Sequence, residues 1–154
     1  MKLEKIASFT VDHTKLDKGM YISRQDGDVI TYDIRMKKPN GGDYLENAAM
    51  HTMEHLFATY ARSSAVKDSV IYVGPMGCRT GFYLLTRGIS HSEAIALTRE
   101  SMAFIAAYEG DIPGATEVEC GNYREMDLPG ARAVAADMVR VLDGWEEKDM
   151  IYKA

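Results

Sequence analysis

The stretch from Asp43 to about Arg62 constrains the fold most, because its centre carries His51-Thr52-Met53-Glu54-His55. Pro39-Asn40-Gly41-Gly42 breaks the chain just before it, and Asp43 with Glu46 three residues later resembles a capping box. The spacing therefore predicts a helix through about Arg62. Residues i and i+4 of a helix lie one turn apart on one face, so His51 and His55 would present two imidazoles to the same point, with Glu54 on that side. Two surface histidines beside a solvated glutamate are the ordinary alternative. The H-x-x-E-H spacing, with thiols elsewhere in the chain, points instead to a divalent metal site.

Two imidazoles leave a divalent ion short of ligands, since catalytic sites generally take three protein ligands and keep a further position open. Cys120, in Val118-Glu119-Cys120-Gly121, is the leading candidate for the third. Thiolate suits zinc and ferrous iron alike, and Gly121 lets the backbone turn closely. Glu117 and Glu119 compete for the place, and the plain alternative for Cys120 is a small buried hydrophobe. The other cysteine, Cys78, lies in Pro75-Met76-Gly77-Cys78-Arg79-Thr80-Gly81, a tight loop between strands. There two glycines would leave room for a substrate, and Arg79 would set positive charge beside the thiol. Such a cysteine suits proton transfer or nucleophilic attack, and equally a turn whose side chain packs inward.

Residues 20–25 and 29–36 read as two strands joined near Asp26-Gly27, a strong hairpin signal. In the second, Ile30, Tyr32, Ile34 and Met36 share one face and leave Thr31, Asp33 and Arg35 on the other. Residues 69–74 and 82–87 read as a further pair of strands around the Cys78 loop. Ser90 and Glu93 resemble a cap and its partner, opening a long helix that should stop near Gly110. Residues 116–126 read as extended or looped, and a last helix is expected over about 130–142, after Pro129. Strands in hairpins with helices grouped between them predict an α+β domain, its helices packed on one face of a largely antiparallel sheet. At 154 residues and 46% hydrophobic content, one domain over residues 1–154 is expected.

The net charge of −5, with both signs interspersed, excludes the basic stripe that a nucleic-acid partner requires. No run of about 18 apolar residues exists to cross a membrane, and the first residues lack a signal-peptide core, so a cytoplasmic protein is expected. Two cysteines far apart in such a compartment suit reactivity or metal binding better than a disulfide.

Five pieces taken together resemble the LuxS family in order and spacing, from residue 8 to residue 121: SFTVDH at 8–13, YDIR at 32–35, HTMEH at 51–55, PMGCRTGFY at 75–83 and ECG at 119–121. The resemblance implies a LuxS/metallopeptidase-like α+β fold and a homodimer with active sites at the subunit interface. It implies one divalent metal per subunit, Fe(II) or Zn(II), held by His51, His55 and Cys120 with a water in the remaining place. Cys78 and Glu54 would be the general acid/base pair, and Ser8, His13 and Arg35 would contact substrate. For Arg35 the plain alternative is a solvated side chain, and for Ser8 and His13 a polar turn. The substrate so implied is S-ribosylhomocysteine, cleaved by carbonyl migration and then β-elimination to homocysteine and 4,5-dihydroxy-2,3-pentanedione, the autoinducer-2 precursor. Two positions depart from the common pattern: Tyr72 stands where an acidic residue is frequent, and Gly74 where serine is. Two rival readings of the same residues are a metallopeptidase with a carboxylate third ligand, and a non-catalytic site closed by Cys78 as fourth ligand.

Overall fold

The computed structural model describes all 154 residues. Strands β1 (Gly19–Asp26), β2 (Val29–Arg35), β3 (Val70–Pro75) and β4 (Gly81–Arg87) form one antiparallel sheet in the order β1-β2-β4-β3. Helices α1 (Asn47–Ala61), α2 (His91–Ala107) and α3 (Leu128–Val141) complete the α+β architecture. Gly27 and Asp28 join β1 to β2, with Asp26 paired to Val29 across the turn as the hairpin signal predicts. The alternation in β2 holds as well. Tyr32, Ile34 and Met36 are fully buried, and Phe82 and Leu84 of β4 join them in one cluster of 22 buried residues.

The helices close that cluster from one side of the sheet. Along α1 the buried residues Ala49, Thr52, Met53, Leu56, Phe57 and Ala61 recur at helical spacing and form a single stripe. His51, Glu54 and His55 flank the stripe, half-buried. The start of α1 differs from the expected capping box. The helix begins at Asn47, Glu46 makes no side-chain cap, and the Asp43 carboxylate accepts instead from Lys37 Nζ at 3.0 Å. The reason lies in Leu45, which is buried and whose two backbone groups are both taken by Arg79. Its N–H donates to the Arg79 carbonyl at 2.8 Å, and its carbonyl accepts from the Arg79 guanidinium at 3.1 Å. Residues 43–46 are thereby held extended against the Cys78 loop.

The box at α2 forms as expected, with Ser90 and Glu93 exchanging hydrogen bonds of 3.1 Å, and the helix stops at Ala107, before Gly110. Helix α3 starts two residues earlier than the periodicity suggests, because the Asp127 side chain caps it by accepting from the Gly130 N–H at 2.9 Å. Asp127 is in turn tied to α1, its own N–H donating to Thr52 Oγ1 at 2.8 Å. Between Ala107 and Leu128 the chain has no helix or strand. A stretch of that length without regular structure is uncommon in a compact fold and is usually functional. No helix is long and apolar enough to cross a membrane.

Candidate functional site

Helix α1 sets His51 and His55 one turn apart, with ring centroids 4.7 Å from each other. The irregular stretch after α2 wraps over them and fixes both rings. His51 Nδ1 donates to the Glu125 carbonyl at 2.9 Å, and His55 Nδ1 donates to the Pro113 carbonyl at 2.7 Å. Gly114 makes the second contact possible: its φ of 74° lies in the left-handed region, and a β-carbon there would stand 3.1 Å from His55 Nδ1.

These two bonds decide the tautomers. A carbonyl oxygen only accepts, so each Nδ1 carries a proton and each neutral ring presents a bare Nε2. The two Nε2 atoms nevertheless face each other at 3.1 Å, and Cys120 Sγ lies 3.5 Å from one and 3.6 Å from the other. Two lone pairs and a sulfur converging on one point repel unless a cation lies between them. The three ligand atoms all fall within 4.8 Å of one another, and the carbonyls behind the imidazoles are the outer partners that metal-bound histidines usually have. The donor set therefore fits a divalent ion. The Asn122 N–H donates to Cys120 Sγ at 3.4 Å and helps hold the sulfur toward the two imidazoles.

The competing ligands drop out on geometry. Glu119 turns its carboxylate to the Thr116 hydroxyl, which donates to it at 2.8 Å. Cys78 is not in the cluster and forms no disulfide, so it does not close the site. Gly121 leaves open space where a β-carbon would stand, so the turn at Cys120 does not depend on it.

Glu54 lies beside His55 in an open cavity of about 370 Å³, also lined by Thr59, Arg62 and Tyr72. That cavity contains none of Cys78, Arg35, Ser8 and His13. Ser8 lies across the sheet, in a second cavity of about 320 Å³ with Thr31, Tyr72 and Tyr83. His13 sits in the polar turn expected of its surroundings: its Nδ1 donates to the Val11 carbonyl at 2.9 Å, and Asp12 caps Thr14. Tyr72 alone of these residues borders both cavities.

Cys78 is exposed, and its loop is built differently from the expectation. Arg79, held at φ 60°, turns its guanidinium away to the Leu45 carbonyl. Gly81 serves the sheet and not a ligand, since a β-carbon there would drive into the Ile34 carbonyl oxygen. The guanidinium that serves the thiol belongs to Arg35, whose Nη1 donates to Thr80 Oγ1 at 2.9 Å while Thr80 Oγ1 stands 3.0 Å from Cys78 Sγ. Arg35 is not solvated. It is 3% exposed and paired with Asp33, itself 2% exposed, through bonds of 2.6 and 3.1 Å. Burial works against the Arg35 charge, but the bonds to Asp33 and the charge of that carboxylate outweigh it and hold the guanidinium above its ordinary pKa. Asp33 and Thr80 thus belong to the Cys78 environment; both lie in the motifs at 32–35 and 75–83, although the sequence alone assigns neither a role.

Residues 6–149 match the model of the family described as S-Ribosylhomocysteinase (LuxS). An S-ribosylhomocysteine lyase of Desulfotalea psychrophila is 48% identical over 157 aligned residues, covering 97% of this chain and 99% of that relative. Proteins of the same name from Clostridium beijerinckii and Borreliella burgdorferi are 46% and 43% identical, each over 97% of this chain and 99% of its own length.

Proposed function

The chain belongs to the S-ribosylhomocysteinase (LuxS) family, and on that premise we propose that it is a divalent-metal-dependent S-ribosylhomocysteine lyase, acting as one domain over residues 1–154. It would release homocysteine and 4,5-dihydroxy-2,3-pentanedione. The observation that carries the metal dependence is the convergence of two bare imidazole nitrogens and one sulfur on a single point. His51, His55 and Cys120 would hold one ion per subunit, and ferrous iron and zinc both suit that donor set. When bound, such an ion supplies Lewis-acid polarisation of the sugar oxygens.

The protein's own groups move the protons. The thioether carbon of the ribosyl chain is not acidic at the outset, so the carbonyl must first migrate from C1 towards C3. Cys78, as thiolate, takes a proton from the carbon beside the carbonyl and returns it to the neighbouring carbon. Glu54 handles protons on the sugar oxygens from the side of His55. Once the ketone is at C3, removal of the C4 proton drives the electron pair towards C5. That pair forms the C4–C5 double bond as the C5–S bond breaks, and the C5–S bonding pair leaves on the homocysteine sulfur. Ser8, His13 and Arg35 would hold the substrate.

The family resemblance implies a homodimer, and how the groups are divided supports that reading. Glu54 and the ligand His55 border one cavity, while Ser8 lies in another across the sheet. Ile6, Phe9, Ile71 and Tyr72 are exposed, an apolar set that a second copy would cover. Cys78 lies outside the cavity that Glu54 and His55 border, which supports placing the active sites at the interface, where a second copy would complete them. Two free cysteines suit the reducing cytoplasm in which we place the protein. The test is to incubate anaerobically purified protein with S-ribosylhomocysteine and follow released thiol. Turnover that stops with chelator and in Cys78→Ala is expected. Full-rate thiol release by Cys78→Ala would overturn the assignment.

A further inference from the structure

The C-terminal tail reaches the Cys78 loop through a continuous chain of hydrogen bonds. Tyr152 Oη donates to Asp33 Oδ2 at 2.6 Å. Asp33 accepts from Arg35 Nη2 at 2.6 Å and from Nε at 3.1 Å. Arg35 Nη1 donates to Thr80 Oγ1 at 2.9 Å, and Thr80 Oγ1 faces Cys78 Sγ at 3.0 Å. A guanidinium only donates, so the Thr80 oxygen accepts from Arg35 and keeps its single proton for the sulfur, the direction the last bond takes when Cys78 is a thiolate.

We propose that Tyr152 is a positioning residue for Cys78, acting through Asp33, Arg35 and Thr80. Asp33 and Arg35 lie on the face of β2 opposite the hydrophobic core, where side chains would ordinarily be wet. They are buried there, and the Tyr152 ring, stacked on Tyr21 at 5.2 Å between centroids, lies over them. The tail is anchored just beyond the ring: Lys15 Nζ donates to the Ala154 carbonyl, and Lys153 pairs with Asp17 at 3.6 Å. Arg35 has five N–H donors and several ways of forking onto a carboxylate. Fixing Asp33 from behind by a third donor selects the one in which Nη1 is free for Thr80. The other titratable group near the thiol and Arg35 is Tyr83, which contributes no bond to the chain.

The proposal rests on Cys78 being the proton-transfer group, so its test uses one readout independent of turnover. In Tyr152→Phe the ring still stacks on Tyr21 and only the hydroxyl is lost. Alkylation by iodoacetamide at neutral pH, quantified by mass at Cys78 alone, should slow roughly two- to tenfold, the range that one lost hydrogen bond spans. The kcat for S-ribosylhomocysteine should fall by a similar factor with KM held. Thr80→Val should reproduce both losses, and Thr80→Ser, which keeps the hydroxyl, should restore both. A Tyr152→Phe protein alkylated at the parent rate would overturn the proposal whatever its turnover. Slower alkylation with unchanged kcat would support the chain of bonds and overturn instead the role of Cys78. Should Tyr152→Phe not fold, the Thr80 pair decides by the same two readouts.

Discussion

The phenol of Tyr72 lies across Gly74, its hydroxyl and ring edge filling the space into which a β-carbon at residue 74 would project. The two departures from the common family pattern are therefore one structural event. Because the ring is half-exposed and its far end is free to swing, Gly74→Ala is expected to displace Tyr72 at a stability cost of no more than about 1 kcal/mol. Tyr72 borders both cavities, so the displacement should register in KM for S-ribosylhomocysteine. In a Tyr72→Ala background Gly74→Ala should then have little effect. Equal changes in both backgrounds would show that the two positions are independent.

Removing the Asp33 carboxylate strands a buried guanidinium. Asp33→Ala should lower unfolding free energy by about 3–5 kcal/mol, because Arg35 would keep its desolvation cost and lose its partner. Chemical denaturation measures it. A loss below about 1 kcal/mol would mean that water reaches Arg35 in the variant.

Metal content separates ligands from neighbours. His51→Ala, His55→Ala and Cys120→Ala are each expected to lose bound metal, while Glu119→Gln and Cys78→Ala keep one ion per chain. Elemental analysis after gel filtration reads the result, and full loading of Cys120→Ala would remove the sulfur from the site.

Burial pushes the Tyr32 phenol up to about 12, and burial with the charge of Asp33 raises Tyr152 as well. A phenol whose folded pKa exceeds its unfolded value of 10 adds stability that is fully present below pH 10 and lost as pH rises through about 12. Melting temperature should therefore fall over that interval, with Tyr32 contributing about 2–3 kcal/mol of the loss. Tyr32→Phe should fall less steeply there, although it starts lower at neutral pH for want of the 2.7 Å bond to His91 Nδ1. Parallel curves for the two proteins would contradict the assignment.

What the sequence made legible was whatever depends on neighbours in the chain. The Ser90–Glu93 box and the alternation of Tyr32, Ile34 and Met36 are patterns of fixed short spacing, and both formed as read. The imidazole pair was visible for the same reason. Cys120 had no such spacing to declare it, because it meets His55 across 65 residues through a stretch without periodicity, and only the chemistry of a thiolate, together with the family resemblance, gave it priority over Glu117 and Glu119. The helix start at Asp43 was misread because Arg79, 34 residues from Leu45, claims the backbone there. The burial of Arg35 was hidden likewise. Its own strand reads as polar on that face, and what covers it is a tyrosine from the far end of the chain.

The twenty residues 108–127 between α2 and α3 bond to α1 at Pro113, Cys120, Glu125, Met126 and Asp127, and three of those five contacts run through the His51 and His55 rings. An ion there would rivet a ribbon with no ladder of its own, so stripping it should release the ribbon to proteases first, while the sheet resists. Limited digestion with and without chelator would reveal cuts confined to that interval. The lifetime of each copy would then follow the supply of a trace nutrient, and starved molecules would mark themselves for disposal.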